Sequence, residues 1–144
     1  MKLLPPLVVG VVVLSTVALG VHAQSSQPQP YKVVFDLTSS DPIDQQAVIR
    51  WINEVTAANP GTETEVVMYG RGLDLIIASK TTKADDVAKA ISEKHASFRV
   101  CAIAMKNQQL DKSQLVPNME IVPDGIGELV AKQKAGWGYI KVGH

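Results

Sequence analysis

An α/β fold is what the sequence predicts: a three-layer α/β/α sandwich around a mostly parallel sheet of about five strands. Three observations point to it. Short β-branched runs alternate with amphipathic, capped segments from Tyr31 onward, and Pro and Gly mark the boundaries between them. The strand-like runs, Val33-Val34-Phe35 for example, lack clean polar alternation, as strands covered on both faces do. Alternation of this kind calls for parallel strands joined by right-handed crossovers. With 144 residues, 46% of them hydrophobic, the chain can fill one core and is too short for two full domains.

The first residues stand apart from that domain. Met1-Lys2 is a short positive start, Leu3 to Gly20 is uncharged and rich in Leu and Val, and Val21-His22-Ala23 supplies a small-x-small pattern. Residues 1–23 therefore read as a secretory signal peptide cleaved after Ala23. A retained membrane anchor is the rival reading, but Leu7 to Val21 is 15 residues long, against the roughly 20 of a spanning helix, and Pro5-Pro6 interrupts its start. Gln24 to Pro30 has no apolar residue and two prolines, so residues 24–30 read as an extended tether and residues 31–144 as the folded domain.

Lys32 to Leu37 reads as the first core strand. Asp41-Pro42 then supplies a cap and a proline at the first helical position, and Ile43, Ala47, Val48, Trp51, Ile52 and Val55 form an apolar stripe at spacings of three and four, stopped by Asn59-Pro60-Gly61. Glu65 to Tyr69 is a second strand, ended by Gly70-Arg71-Gly72. Leu73 to Ala78 is a further apolar run, equally compatible with a strand or one turn of buried helix. Thr82-Lys83-Ala84-Asp85 resembles a capping box with Asp in place of Glu, opening a helix whose face is Ala84, Val87, Ala88 and Ile91. Phe98 to Cys101 is the third strand. Ala102 to Gln109 has helix formers, Asp111 to Val116 reads as a short helical piece, and Pro117-Asn118 marks a break. Met119 to Val122 is the fourth strand. Asp124 caps a last helix with Ile126, Leu129 and Val130, Gly136 ends it, and Tyr139 to Val142 adds a final edge strand.

Charge and cysteine content narrow the function classes. Lys plus Arg and Asp plus Glu are both 14, and without residues 1–23 the formal charge is −1, so no basic footprint for nucleic acid exists. One cysteine excludes an internal disulfide and, with three scattered histidines, a Cys-rich zinc site. That cysteine, Cys101, is placed where a strand gives way to a helix. In open parallel sheets ligands gather there, because helix N-termini present free N–H groups and a partial positive charge that favours a thiolate, the form that attacks sulfur or carbon electrophiles. The competing reading buries Cys101 as a small hydrophobe.

Other side chains carry weaker signals. His95 follows Ile91 by four residues, so it can share the helix face, cap the helix C-terminus or act as a base for Cys101, and His144 is terminal and solvated. Gly70-Arg71-Gly72 lacks the third glycine of a dinucleotide fingerprint and the Gly-Lys-Ser/Thr of a phosphate loop, and reads as a turn. Its place at a strand end would bring Arg71 to a pocket rim near Cys101, ready for a charge-assisted bond to an anionic sulfur substrate. Asp36 near the end of strand one can face the same rim, a cap or solvated carboxylate explains it equally well, and it is assigned no role. Trp51 lies in a core stripe, and Trp137 and Tyr139 are core or subunit-interface aromatics.

Three spaced elements carry a resemblance. Phe98-Arg99-Val100-Cys101-Ala102, then Val122-Pro123-Asp124-Gly125-Ile126 with Glu128-Leu129, then Gln133, Gly136-Trp137 and Tyr139-Ile140 resemble the DsrE/DsrF-like sulfur-relay family, most closely its exported single-domain members. The resemblance runs from Tyr31 to Lys141. After Cys101 the chain reads Ala-Ile-Ala-Met, where the family pattern has a polar residue such as Asn. The resemblance implies a five-stranded parallel sheet, a small homo-oligomer, and a cysteine that accepts sulfane sulfur as a persulfide and hands it on. On that footing the expected function is a periplasmic sulfur carrier or sulfurtransferase-like protein using Cys101. It needs no cofactor, works with donor and acceptor proteins, and has no contact with nucleic acid or, after signal cleavage, with the membrane. The alternative from a different class is a non-catalytic oligomeric binding or accessory protein with a structural cysteine.

Overall fold

The protein's computed structural model describes residues 29–94 and 96–143. The signal segment, residues 24–28 of the tether, His95 and His144 lie outside the described residues. Five strands, β1 (Lys32–Leu37), β2 (Glu63–Met68), β3 (Ser97–Cys101), β4 (Glu120–Val122) and β5 (Gly138–Val142), form one all-parallel sheet in the order β4-β3-β2-β1-β5. The α-helices are α1 (Pro42–Ala58), α2 (Ala84–Lys94), α3 (Ala102–Asn107) and α4 (Gly125–Lys134). From β1 to β4 each connection steps to the next strand in one direction, and α4 then carries the chain back to β5 on the far side of β1. Right-handed crossovers therefore set α4 on the opposite face from α1 and α2, which makes the three layers. Among the described residues no helix is long and apolar enough to cross a membrane.

The two faces of the sheet differ in content. Val33, Phe35, Leu37, Val66, Met68, Phe98 and Val100 meet Val48, Ile49 and Ile52 of α1 and Val87 and Ala90 of α2 in the main core. Under α4 the apolar cluster is only Val34, Val67 and Leu129, flanked by Tyr69 and Trp137. Each fully buried large side chain of the main core contributes roughly 1.5–3 kcal/mol by removal from water, so this face supplies most of the stability.

Local sequence signals set the helix ends. Asp41 accepts a hydrogen bond from the Ile43 N–H at 2.8 Å with Pro42 behind it, and Asp124 accepts from both Ile126 and Gly127 N–H groups at 3.0 and 3.1 Å. At the end of α4, Gly136 adopts φ +82°, Trp137 N–H reaches the Lys132 carbonyl and Gly136 N–H the Gln133 carbonyl, a Schellman closure that only a left-handed residue completes.

Several expectations are corrected. On α1, Ile43 is 73% exposed while Ile49 is buried, because the packed stripe is Gln45, Val48, Ile49 and Ile52 and Ile43 lies about 140° from Val48 around the helix. On α2 the buried residues are Val87 and Ala90, and Ala88 faces solvent. The expected capping box on Thr82 is replaced by Thr81 Oγ1, which accepts from the Lys83 N–H at 3.0 Å, and the helix starts with Val87 N–H donating to the Lys83 carbonyl. On α4, Leu129 is buried but Ile126 and Val130 are 58% and 44% exposed. The apolar run after β2 resolves as a 3-10 segment, Gly70–Leu75, followed by buried Ile76 and Ile77.

Candidate functional site

Cys101 ends β3 and is the residue from which α3 starts, with extended φ −68° and ψ 117°. It is only 4% exposed, yet it lines a cavity of about 610 Å³ at the carboxyl ends of β2, β3 and β4. Tyr69, Gly70 and Arg71 after β2 form one wall, Ile103, Ala104 and Asn107 of α3 another, and Asp124 and Ile126 at the start of α4 close the third. Open parallel sheets place such clefts outside the carboxyl ends of their strands.

Two glycines shape this region. A Cβ on Gly125 would lie 3.2 Å from Cys101 Cβ, 3.3 Å from Tyr69 Cδ1 and 3.4 Å from Val67 Cγ1, so the first residue of α4 sits directly against the cysteine. A Cβ on Gly72 would fall 2.1 Å from the Leu37 carbonyl oxygen, so the chain after β2 passes β1 at a distance that only glycine allows. That close passage carries Arg71 to the cavity wall. Arg71 is exposed and has no ion-pair partner among the described residues. Gly70-Arg71-Gly72 is thus the start of the 3-10 segment instead of a simple turn, and Arg71 takes the expected rim position. Asp124 already spends both carboxylate oxygens on capping α4, and Gln108 Nε2 donates to the Gly70 carbonyl at 2.6 Å, which ties the loop after α3 to this wall.

Asp36 is the largest correction among the candidate residues. Instead of a solvated carboxylate or a cap, it is 3% exposed, and its Oδ2 accepts hydrogen bonds from Tyr139 at 2.6 Å and Tyr69 at 3.4 Å. Lys141 Nζ stands 3.3 Å from Oδ1 as an ion pair, without the alignment of a hydrogen bond. The hydrogen bond to Asp36 pushes the Tyr139 phenol up to about 12, and burial with the same carboxylate raises Tyr69. Tyr69, a wall of the Cys101 cavity, is thereby anchored from behind.

Further along the same face lies a second polar group that sequence reasoning missed. Glu65 is fully buried, and its Oε2 receives Lys132 Nζ at 2.6 Å, Arg99 Nε at 3.1 Å and Ser97 Oγ at 3.2 Å; Arg99 also pairs with Glu120, and Lys132 lies 4.3 Å over the Trp137 ring. Trp137 is half-buried within its own chain through that contact and the Val34 cluster. The signal for both groups was a charged residue inside an apolar strand, Asp36 in β1, Glu65 in β2 and Arg99 in β3. Among the described residues no group of three or more His, Cys, Asp or Glu side chains is gathered to hold a metal ion.

A sequence model of the DsrE/DsrF-like family matches residues 32–142. The chain belongs to the DsrE/DsrF-like family. Its match begins at the first residue of β1 and ends at the last of β5, so the family unit and the sheet coincide. No curated protein matches the chain. Among solved structures it is similar to MTH1491, a protein of unknown function from Methanobacterium thermoautotrophicum, at 24% sequence identity with a TM-score of 0.73, covering 77% of this chain and 98% of that one. That likeness shows the shared fold.

Proposed function

We propose that this DsrE/DsrF-like protein is a thiol-based sulfur carrier, exported to the periplasm behind a signal peptide cleaved after Ala23, which accepts sulfane sulfur on Cys101 and passes it to a partner. The observation that carries the reading is that the chain's one thiol lines a mostly apolar cavity whose wall presents a guanidinium, Arg71, with no ion-pair partner among the described residues. The thiolate attacks the sulfane sulfur of a donor, a new S–S bond forms at Cys101, the donor's S–S bond breaks, and the shortened donor leaves as a thiolate or hydrosulfide. In the second step an acceptor thiolate attacks the outer sulfur and Cys101 departs as thiolate, so no external oxidant or reductant is needed. Two thiols and a persulfide suffice, without a cofactor. The exposed apolar side chains Val130 and Tyr139 on the α4 face support assembly as a homo-oligomer.

The 4% exposure of Cys101 favours a second reading, an oligomeric accessory protein in which the cysteine only packs. Intact-mass analysis after exposure to inorganic polysulfide separates them. The carrier gains 32 Da, loses it to cyanide with release of thiocyanate, and does neither as Cys101→Ser. A native protein whose mass never changes, with reaction only after unfolding, overturns the carrier reading.

A further inference from the structure

We propose that the cavity over Cys101 selects an organic persulfide bearing a carboxylate, and that Arg71 is the residue that selects it; this rests on the reading of Cys101 as a sulfur acceptor. Size is the first argument. About 610 Å³ falls inside the range of roughly 300–1,000 Å³ typical of clefts that hold organic ligands. An inorganic chain of a few sulfur atoms would leave most of it filled with solvent. The lining is the second. Ile103 and Ile126 border it with 53% and 58% of their surfaces exposed, apolar area that an organic body covers and a small dianion does not.

Charge is the third argument. Two charged side chains line the cavity, Arg71 and Asp124, and the Asp124 oxygens are already occupied by the Ile126 and Gly127 N–H groups. Gln108 is likewise engaged, on the Gly70 carbonyl. Asn107 adds a neutral carboxamide, which leaves Arg71 as the one cation among the described lining residues, and a planar guanidinium pairs with a carboxylate through two parallel hydrogen bonds. The transfer balances as R–S–SH plus the Cys101 thiolate giving the Cys101 persulfide plus R–S⁻: the outer sulfur moves with its proton and the inner S–S bond breaks.

The test compares initial rates of Cys101 persulfidation, read by intact mass, with three donors: the persulfide of N-acetylcysteine, the persulfide of its carboxamide, and inorganic polysulfide. The wild-type protein is expected to load about tenfold faster from the acid than from the amide, and Arg71→Gln to bring that ratio near one while Arg71→Lys keeps part of it. Arg71 is exposed, so these variants fold. Equal rates from acid and amide in the wild type, or a preference that survives in Arg71→Gln, overturn the inference while leaving the carrier reading in place. Failure of all three donors removes the carrier reading, and the inference with it.

Discussion

Apart from Thr64, one face of the sheet is apolar, and the other is built around charges. Toward α1 and α2 the strands present Val33, Phe35, Leu37, Val66, Met68, Phe98 and Val100, all buried. Toward α4 they present Asp36, Glu65, Arg99 and Cys101 around a small Val34–Val67–Leu129 cluster, under a helix of ten residues. The first face can only be packed; the second holds directional groups whose placement depends on partners. The fold is secured on one side of the sheet and the chemistry is positioned on the other.

The largest effect expected from this division is on the apolar side. Phe35→Ala should cost about 3–5 kcal/mol, since it deletes a fully buried ring that packs 6.2 Å from Trp51, and urea unfolding measures it. Glu65→Ala on the charged side should cost less, about 2 kcal/mol. The Arg99 and Lys132 side chains it strands are 23% and 19% exposed and can turn to water, so the 3–5 kcal/mol of a fully buried broken pair is not reached. The same variant should still load sulfur, because Glu65 does not line the Cys101 cavity. A cost equal to that of Phe35→Ala would erase the distinction between the faces.

The smallest effect is a pH dependence. Tyr139 carries a folded-state value of about 12 against 10.0 for the free phenol, so the stabilisation it draws from Asp36 is whole below pH 10 and is lost as pH rises from 10 to 12. In an alkaline absorbance titration, Tyr139→Phe should remove the highest phenolate step and Asp36→Asn should move it down toward 10. A step unmoved by Asp36→Asn would mean that the carboxylate does not govern this end of the sheet.

The strands, the helix caps and the family were legible in the sequence because each rests on local signals: β-branched runs, Asp41-Pro42, Asp124, Gly136, and the spacing from Cys101 to Tyr139. The orientation of α1 and α2 was less so. Ile43 and Ala88 fit a period that several nearby faces satisfy, and packing against the sheet chose among them. Of the charged face, single charges inside apolar strands were legible and their pairings were not. Asp36 lies beside Lys141 and Arg99 beside Glu120 as direct cross-strand partners, pairings that exist only once the order β4-β3-β2-β1-β5 and its register are known. Asp36 and Lys141 are 105 positions apart in the chain, and nothing local connects them.

The central claim, that Cys101 reacts from the folded state through its cavity, is tested most directly by the rate of iodoacetamide alkylation in urea concentrations below the unfolding transition. The account predicts a rate that stays nearly flat across that range, because the thiol is reached in the native protein. A rate that climbs with urea along the slope of global unfolding would show that Cys101 is met only when the chain opens, and the sulfur-carrier reading would fall.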